Sequence, residues 1–242
     1  MTSCFITEDG ISVPAVSQEQ MIEIDRIAME ETGPNLFQMM ENAGRNLAEL
    51  ILSNFSSEDR KEIIVLCGTG GNGGGGICAA RHLVNRNIDA KLVLVNRDGL
   101  RGVPEFQLKT FLAAKGELIS SADLVYANPS LIIDALIGYS LKGAPRGITK
   151  ELIDWCNEVS CKIVSLDIPS GVDSNTGTAP GSYIRATHTL TLALPKNGLS
   201  PLTCGEIYLG DIGIPGIVYS KIGIEYQNPF GSGFIKKLRI LS

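Results

Sequence analysis

Early in the chain, apolar positions recur every third or fourth place. Ser17-Gln18-Glu19-Gln20 has the form of a capping box, and Met21, Ile24, Ile27 and Ala28 follow at helical spacing, which predicts a helix from about residue 18 to about residue 31. Gly33-Pro34 is a start signal for a second amphipathic helix, whose Leu36, Met40, Ala43 and Leu47 fall at i, i+4, i+7 and i+11. From Glu62 the pattern changes to short β-branched runs bounded by turn residues: Ile63 to Leu66, Leu92 to Val95, Leu131 to Ile133, Ile163 to Leu166 and Leu190 to Leu192. Runs without period-two alternation suit strands buried on both faces. Helical stretches at 76–86, 104–114 and 149–158 lie between them. Strand and helix in alternation predict an α/β fold with a mostly parallel central sheet and helices on both sides. No linker or repeat divides the chain, so one domain over residues 1–242 is expected.

Composition narrows the class. The 242 residues carry 21 basic and 26 acidic side chains, a net charge of −5, with 44% hydrophobic and 19% charged residues, which excludes disorder, collagen and coiled coil. The longest apolar runs are strand-sized and the opening MTSCFITEDG has neither a basic nor an apolar leader region, so no membrane span and a cytoplasmic location are expected. Lys and Arg do not cluster until the last few residues, which argues against nucleic acid as the main ligand. Six scattered cysteines (Cys4, Cys67, Cys78, Cys156, Cys161, Cys204) form no C-x-x-C pair, and buried or incidental thiols are expected rather than a metal cluster or disulfide framework.

In a sheet of this kind ligands bind beyond the carboxyl ends of the strands, so the residues following each apolar run are the candidates for chemistry. Gly68-Thr69-Gly70-Gly71-Asn72-Gly73-Gly74-Gly75-Gly76 holds seven glycines in nine residues, which predicts a loop that opens a helix and offers unpaired N–H groups to an anion. Gly68, Gly70 and Gly73 spell G-x-G-x-x-G, but Asn96 and Arg97 stand where a dinucleotide fold would place its acidic ribose ligand, and no Lys-Ser/Thr ends the loop as in a P-loop. Asp134 and Asp167 end apolar strands, where desolvation raises a carboxyl pKa unless a cation or hydrogen bonds offset it. Ser170 has no G-x-S-x-G around it, and His82 and His188 have no evident acidic or nucleophilic neighbour, so a serine triad is not expected. Asn72, Asp134 and Ser170 offer oxygen donors alone, a set that could hold a hard cation and disfavours zinc.

Six stretches occur in order: Met40-Glu41-Asn42-Ala43-Gly44; the glycine run leading into Ala79-Ala80-Arg81-His82-Leu83; Asp134-Ala135-Leu136-Ile137-Gly138; Ser165 to Asp173; Ala193-Leu194-Pro195-Lys196-Asn197-Gly198-Leu199; and Gly210 to Pro215. Together they resemble the NAD(P)H-hydrate epimerase family, the YjeF N-terminal domain, over about residues 12–217. The resemblance implies a Rossmann-like three-layer α/β/α sandwich, usually dimeric, that interconverts the R and S epimers of NADH or NADPH hydrated at ring carbon 6. Carried over by position, the hydrate lies against Gly71, Asn72, Gly73, Gly74 and Gly75, against Gly138, Tyr139, Ser140, Leu141, Lys142, Gly143 and Ala144, and against Asp167. The same carry-over implies a potassium ion held by Asn72, Asp134 and Ser170. Asp167 is the expected proton-handling residue. A homodimer is expected, with Leu36, Phe37 and Met40 as apolar surface, and so is a separate ATP- or ADP-dependent hydrate dehydratase.

One departure is visible. Where the family reads N-N-G-G-D-G, this chain has glycine at 71 and 75, which would remove a carboxylate contact. A catalytically silent binding or scaffold protein on the same fold is therefore the alternative, and a nicotinamide-dependent oxidoreductase rests on G-x-G-x-x-G alone. The tail after Val218 lies outside the resemblance; its Lys236, Lys237 and Arg239 beside Phe234, Ile235 and Leu238 suit a docked terminal element.

Overall fold

The computed structural model describes residues 4–241, and the side chains of 5–240. Strands β1 (Cys4–Thr7) and β2 (Ser12–Pro14) lead into α1 (Gln18–Ile27) and α2 (Leu36–Asn54). The alternating part follows: β3 (Ile63–Cys67), α3 (Gly71–Val84), β4 (Ala90–Leu94), α4 (Val103–Ala113), β5 (Glu117–Ile119), β6 (Leu131–Ala135), α5 (Gly147–Glu158), β7 (Lys162–Leu166) and β8 (His188–Leu192). A short α6 (Pro201–Cys204), β9 (Glu206–Gly210), α7 (Gly216–Lys221) and β10 (Ile235–Leu241) complete it.

All ten strands form one sheet in the order β2-β1-β10-β9-β8-β7-β6-β3-β4-β5. From β9 to β5 the pairing is parallel, while β10, β1 and β2 extend the sheet antiparallel. The order runs outward from β3 to β5 on one side and resumes with β6 on the other, so the topological switch point lies between β3 and β6. Alternate residues of the wholly buried strands serve opposite faces. Ile63, Val65 and Cys67 join the core under α2, α3 and α4, and Ile64 and Leu66 join the core that Leu152, Ile153 and Cys156 of α5 complete. A third core, with Ile24 and Ile27 of α1 and Val218 of α7, lies against β9 and β10. The result is a three-layer, Rossmann-like sandwich.

The capping box forms as expected. Gln20 N donates to Ser17 Oγ at 3.2 Å and Ser17 N donates to Gln20 Oε1 at 2.9 Å. A π-helical turn over Ala28–Thr32 follows α1 and ends at Gly33, whose φ is 79°. At α2 the start is set by a second capping box, Asn35 with Gln38.

The glycine run corrects the expectation of a loop. It is helix from Gly71, five residues before the predicted start, and Gly73 to Gly76 are buried in it. The reason is packing distance: a Cβ on Gly76 would lie 2.5 Å from Ala135 Cβ and 2.7 Å from Cys67 Sγ, and one on Gly74 would run into Met40 Sδ. Missing side chains let α3 sit closer to the sheet and to α2 than an ordinary helix could. Met40 is thereby buried, so it offers no surface to a second copy, whereas Leu36 and Phe37 are exposed. Strands β1, β2, β5, β9 and β10 lie outside the predicted runs. The tail does dock: β10 pairs with both β9 and β1, its lysines held by Glu206 and Asp9. Among the cysteines with described side chains, all are free, and only Cys161 is not fully buried; the side chain of Cys4 lies outside the described residues.

Candidate active site at the switch point

A cavity of about 420 Å³ opens where the N-terminus of α3, the loop after β6 and the end of β7 converge. Gly71 and Asn72 of α3 line it with Thr69 and Gly70; Gly138, Tyr139 and Ser140 line it from β6, Asp167 from β7, Lys196 from the loop after β8, and Asp25 from α1. Met21, Leu36, Met39, Met40, Leu166 and Ile212 supply apolar wall. The first turn of α3 brings backbone N–H groups and the positive end of the helix dipole to this opening, a setting suited to phosphate.

Asp167 sits at the end of β7 with φ 69°, in the left-handed region that non-glycine residues rarely occupy. Its carboxylate is buried. Tyr139 N donates to Oδ2 at 3.1 Å, Leu192 N to Oδ1 at 3.4 Å, and the Lys196 ammonium, itself 1% exposed, forms an ion pair with Oδ1. Lys196 also donates to Leu192 O at 2.9 Å. The Tyr139 hydroxyl donates to Asp25 Oδ2 at 2.6 Å. Burial pushes the Asp25 carboxyl up, with the Tyr139 hydrogen bond and Lys196 opposing it, and burial and Asp25 together push the Tyr139 phenol up.

Asp134 is fully buried behind this wall. Ser170 Oγ donates to it at 2.5 Å, Ser165 Oγ at 2.7 Å, Ser170 N at 2.9 Å and Leu136 N at 3.2 Å. Burial raises its pKa despite these bonds, and among the described residues it has no ion pair. Asn72, packed against Gly138, has a buried Nδ2 with no partner; with the amide turned, Oδ1 takes that place. A buried carboxylate with hydrogen bonds but no ionic partner among the described residues, a serine hydroxyl and a free amide suit a large hard cation.

Of the residues the sequence pointed to, the cavity therefore gathers Gly71, Asn72, Gly138, Tyr139, Ser140 and Asp167, with Asp134 and Ser170 behind them. Gly73, Gly74 and Gly75 face inward, and Leu141, Lys142, Gly143 and Ala144 lie beyond its lining. A Cβ on Gly75 would lie 2.7 Å from Leu166 Cδ2 and 3.8 Å from Ala43 Cβ, so Leu166 takes up the room a side chain there would need. Sequence reasoning missed Lys196 and Asp25. Asp25 had a signal: with Met21 and Ala28 it stands on the apolar stripe of α1, where a carboxylate is out of place.

The histidines also need correction. His82 Nε2 lies 2.9 Å from Glu41 Oε1, and His188 lies 4.0 Å from Glu206. Glu41, Cys78 and His82 come together, but Arg81 Nη2 sits among them, 2.6 Å from Glu41 Oε2 and 3.4 Å from both Cys78 Sγ and His82 Nε2. The guanidinium fills the place a metal ion would take.

The fold defines a doubly wound α/β protein with a cavity at the switch point of the sheet. The chain belongs to the family described as YjeF-related protein N-terminus, whose model matches residues 36–198. It is 48% identical over 236 residues to the NAD(P)H-hydrate epimerase of Dehalogenimonas lykanthroporepellens, covering 97% of this chain and 96% of that one. It is 35% identical over 215 residues to the bifunctional NAD(P)H-hydrate repair enzyme Nnr of Moorella thermoacetica, covering 83% of this chain and 40% of that longer protein. The crystal structure of the yeast protein ynu0, YNL200c, superposes with a TM-score of 0.82 at 26% identity, covering 93% of this chain and all of that one. No helix among the described residues is long and apolar enough to cross a membrane.

Proposed function

We propose that the protein is an NAD(P)H-hydrate epimerase, interconverting the R and S forms of NADH or NADPH hydrated at carbon 6. The observation that carries this reading is the buried Asp167–Lys196 pair on a cavity that also holds the N-terminus of α3. A phosphate-binding end and a proton-handling end then lie within reach of one nucleotide. The near full-length relative of the same name supports it.

The chemistry requires little of the protein. The C6–O bond breaks as the hydroxyl gains a proton and leaves as water, the ring nitrogen's lone pair forms a planar iminium, and water returns from the other face and loses a proton. Asp167 is the acceptor of that proton, acting directly or through one water, and Lys196 holds its carboxylate in place. Backbone N–H groups at Gly71 and Asn72, with Gly138, Tyr139 and Ser140 of the loop after β6, hold the diphosphate and ribose. Asn72, Asp134 and Ser170 would hold potassium, which supplies positive charge opposing Asp134 and the phosphates. The cytoplasm is the proposed site of action, and a separate ATP- or ADP-dependent dehydratase would consume the S epimer. Exposed Leu36 and Phe37, the latter edge-on to Phe106 at 5.5 Å between ring centroids, support a homodimer, which light scattering at micromolar concentration checks.

The test is to incubate pure R hydrate with the protein and follow the S hydrate by chromatography against the spontaneous rate. A rate at background favours the second reading, a silent ligand-binding protein, to which the glycines at 71 and 75 point.

A further inference from the structure

The reaction proposed above takes oxygen off one face of the ring and returns it to the other. A proton must therefore be given on one side and taken on the other, and a single fixed carboxylate is poorly placed for both. The cavity contains a second carboxylate, on α1, outside the stretch that the family model matches. Tyr139 ties the two together. Its backbone N–H donates to Asp167 and its hydroxyl to Asp25, and the Lys196 ammonium lies 5.8 Å from its ring centroid.

We propose that Asp25 is the second proton-transfer group of this site: its carboxyl protonates the departing 6-hydroxyl while Asp167 receives the proton of the incoming water, and Tyr139 positions both. The inference rests on the epimerase reading. In the R to S direction, say, the Asp25 O–H proton passes to the C6 oxygen and the C6–O electron pair leaves with it as water. The nitrogen lone pair becomes the C=N bond, water adds at C6, and its proton goes to Asp167. In the reverse direction the roles exchange, and exchange with solvent resets the pair after product leaves.

The surroundings divide the labour. Asp167 has its own ammonium partner, whereas Asp25, half-buried against apolar wall, accepts a hydrogen bond from the Tyr139 phenol and has no ion pair among the described residues, so burial favours its neutral, proton-donating form. The charged or titratable groups facing Asp25 from packed elements are Tyr139, Lys196, Asp167 and, on α7, Tyr219. Lys196 and the Tyr139 hydroxyl favour the ionised form and Asp167 disfavours it.

The experiment compares Asp25→Asn and Tyr139→Phe with the unaltered protein, measuring kcat and KM for hydrate epimerisation across pH, with a melt of each. Asn keeps an acceptor for the Tyr139 hydroxyl but has no proton to give. Asp25→Asn is expected to lower kcat by ~10² or more with KM within about twofold, and to abolish the alkaline fall of kcat. Tyr139→Phe removes a hydrogen bond that stabilises ionised Asp25, so its alkaline fall moves to higher pH, whatever the drop in kcat from the lost positioning contact. Unchanged kcat in Asp25→Asn overturns the proposal. So does an unmoved alkaline limb in Tyr139→Phe, which decides the matter even where Asp25→Asn fails to fold. A wild-type rate at the spontaneous background overturns the epimerase reading itself, and with it this inference.

Discussion

The ammonium of Lys196 and the carboxylate of Asp167 meet almost wholly out of bulk water, their side chains 1% and 5% exposed. Two buried charges hold each other, and each would be costly alone. Lys196→Met leaves the carboxylate unpaired, and a loss of about 3–5 kcal/mol is expected in denaturant unfolding. The double variant Lys196→Met with Asp167→Asn should recover part of it. A single variant as stable as wild type would show the pair to be energetically idle.

Asp167 carries a further constraint, its left-handed backbone. Asparagine accepts that conformation and keeps the size, so Asp167→Asn is expected to fold, bind hydrate nearly as wild type does and epimerise ~10²-fold more slowly. Asp167→Ala should melt lower than Asp167→Asn, by about 1 kcal/mol, since a Cβ without a local polar partner is strained there. Equal rates for Asp167→Asn and wild type would remove the residue from the chemistry.

Potassium is expected to raise the melting temperature more than sodium does. Among the described residues the buried Asp134 has no ionic partner, and Asn72, Asp134 and Ser170 come from three different segments that one ion would join. Asp134→Asn should abolish the difference between the two salts. Identical melts in potassium, sodium and choline chloride count against the site.

Away from the cavity, Glu41 predicts the acid limb of stability. Burial alone would raise its pKa, but hydrogen bonds from Arg81, Cys78 and His82 outweigh that and hold it at about 2 against an ordinary 4.5. A carboxyl depressed in the folded state stabilises above its unfolded pKa. That contribution is present above about pH 4.5 and is lost as pH falls toward 2. Glu41→Gln should be less stable at neutral pH and flatter across that window, as unfolding midpoints at each pH would reveal; a parallel offset at every pH would exclude the linkage.

Gly75→Asp restores the acidic residue of the family pattern. The structure sets its cost: the new Cβ meets Leu166 Cδ2, so the variant should lose about 1–3 kcal/mol, and Leu166→Ala should be less harmful in its presence than in wild type. Additive effects in this double-mutant cycle would mean that the two positions do not compete for space.

Much of this architecture was legible from the chain, and the failures share a cause. Ile63 to Leu66 and Leu131 to Ile133 read as buried strands because hydrophobicity on both faces leaves no other reading. β10, Ile-Lys-Lys-Leu-Arg-Ile-Leu, did not, because its lysines find Asp9 and Glu206 only in three dimensions. Asp134, Asp167 and Ser170 could be found from their places after strand ends. Lys196 could not, since its partner is 29 residues away, and Asp25, though out of place on the apolar stripe of α1, had no evident partner until the fold brought Tyr139 to it. The glycines misled for a related reason: a local rule against glycine in helices was overruled by contacts with Met40, Ala135 and Cys67.

Those contacts bear on how tolerance to mutation at α3 should be interpreted. The groups its first turn offers to a ligand belong to the main chain, which no substitution but proline deletes, while its missing side chains set the gap between two layers. A saturation screen would find Gly74 and Gly76 intolerant and invite the conclusion that they touch substrate, when the screen had recorded the thickness of the protein.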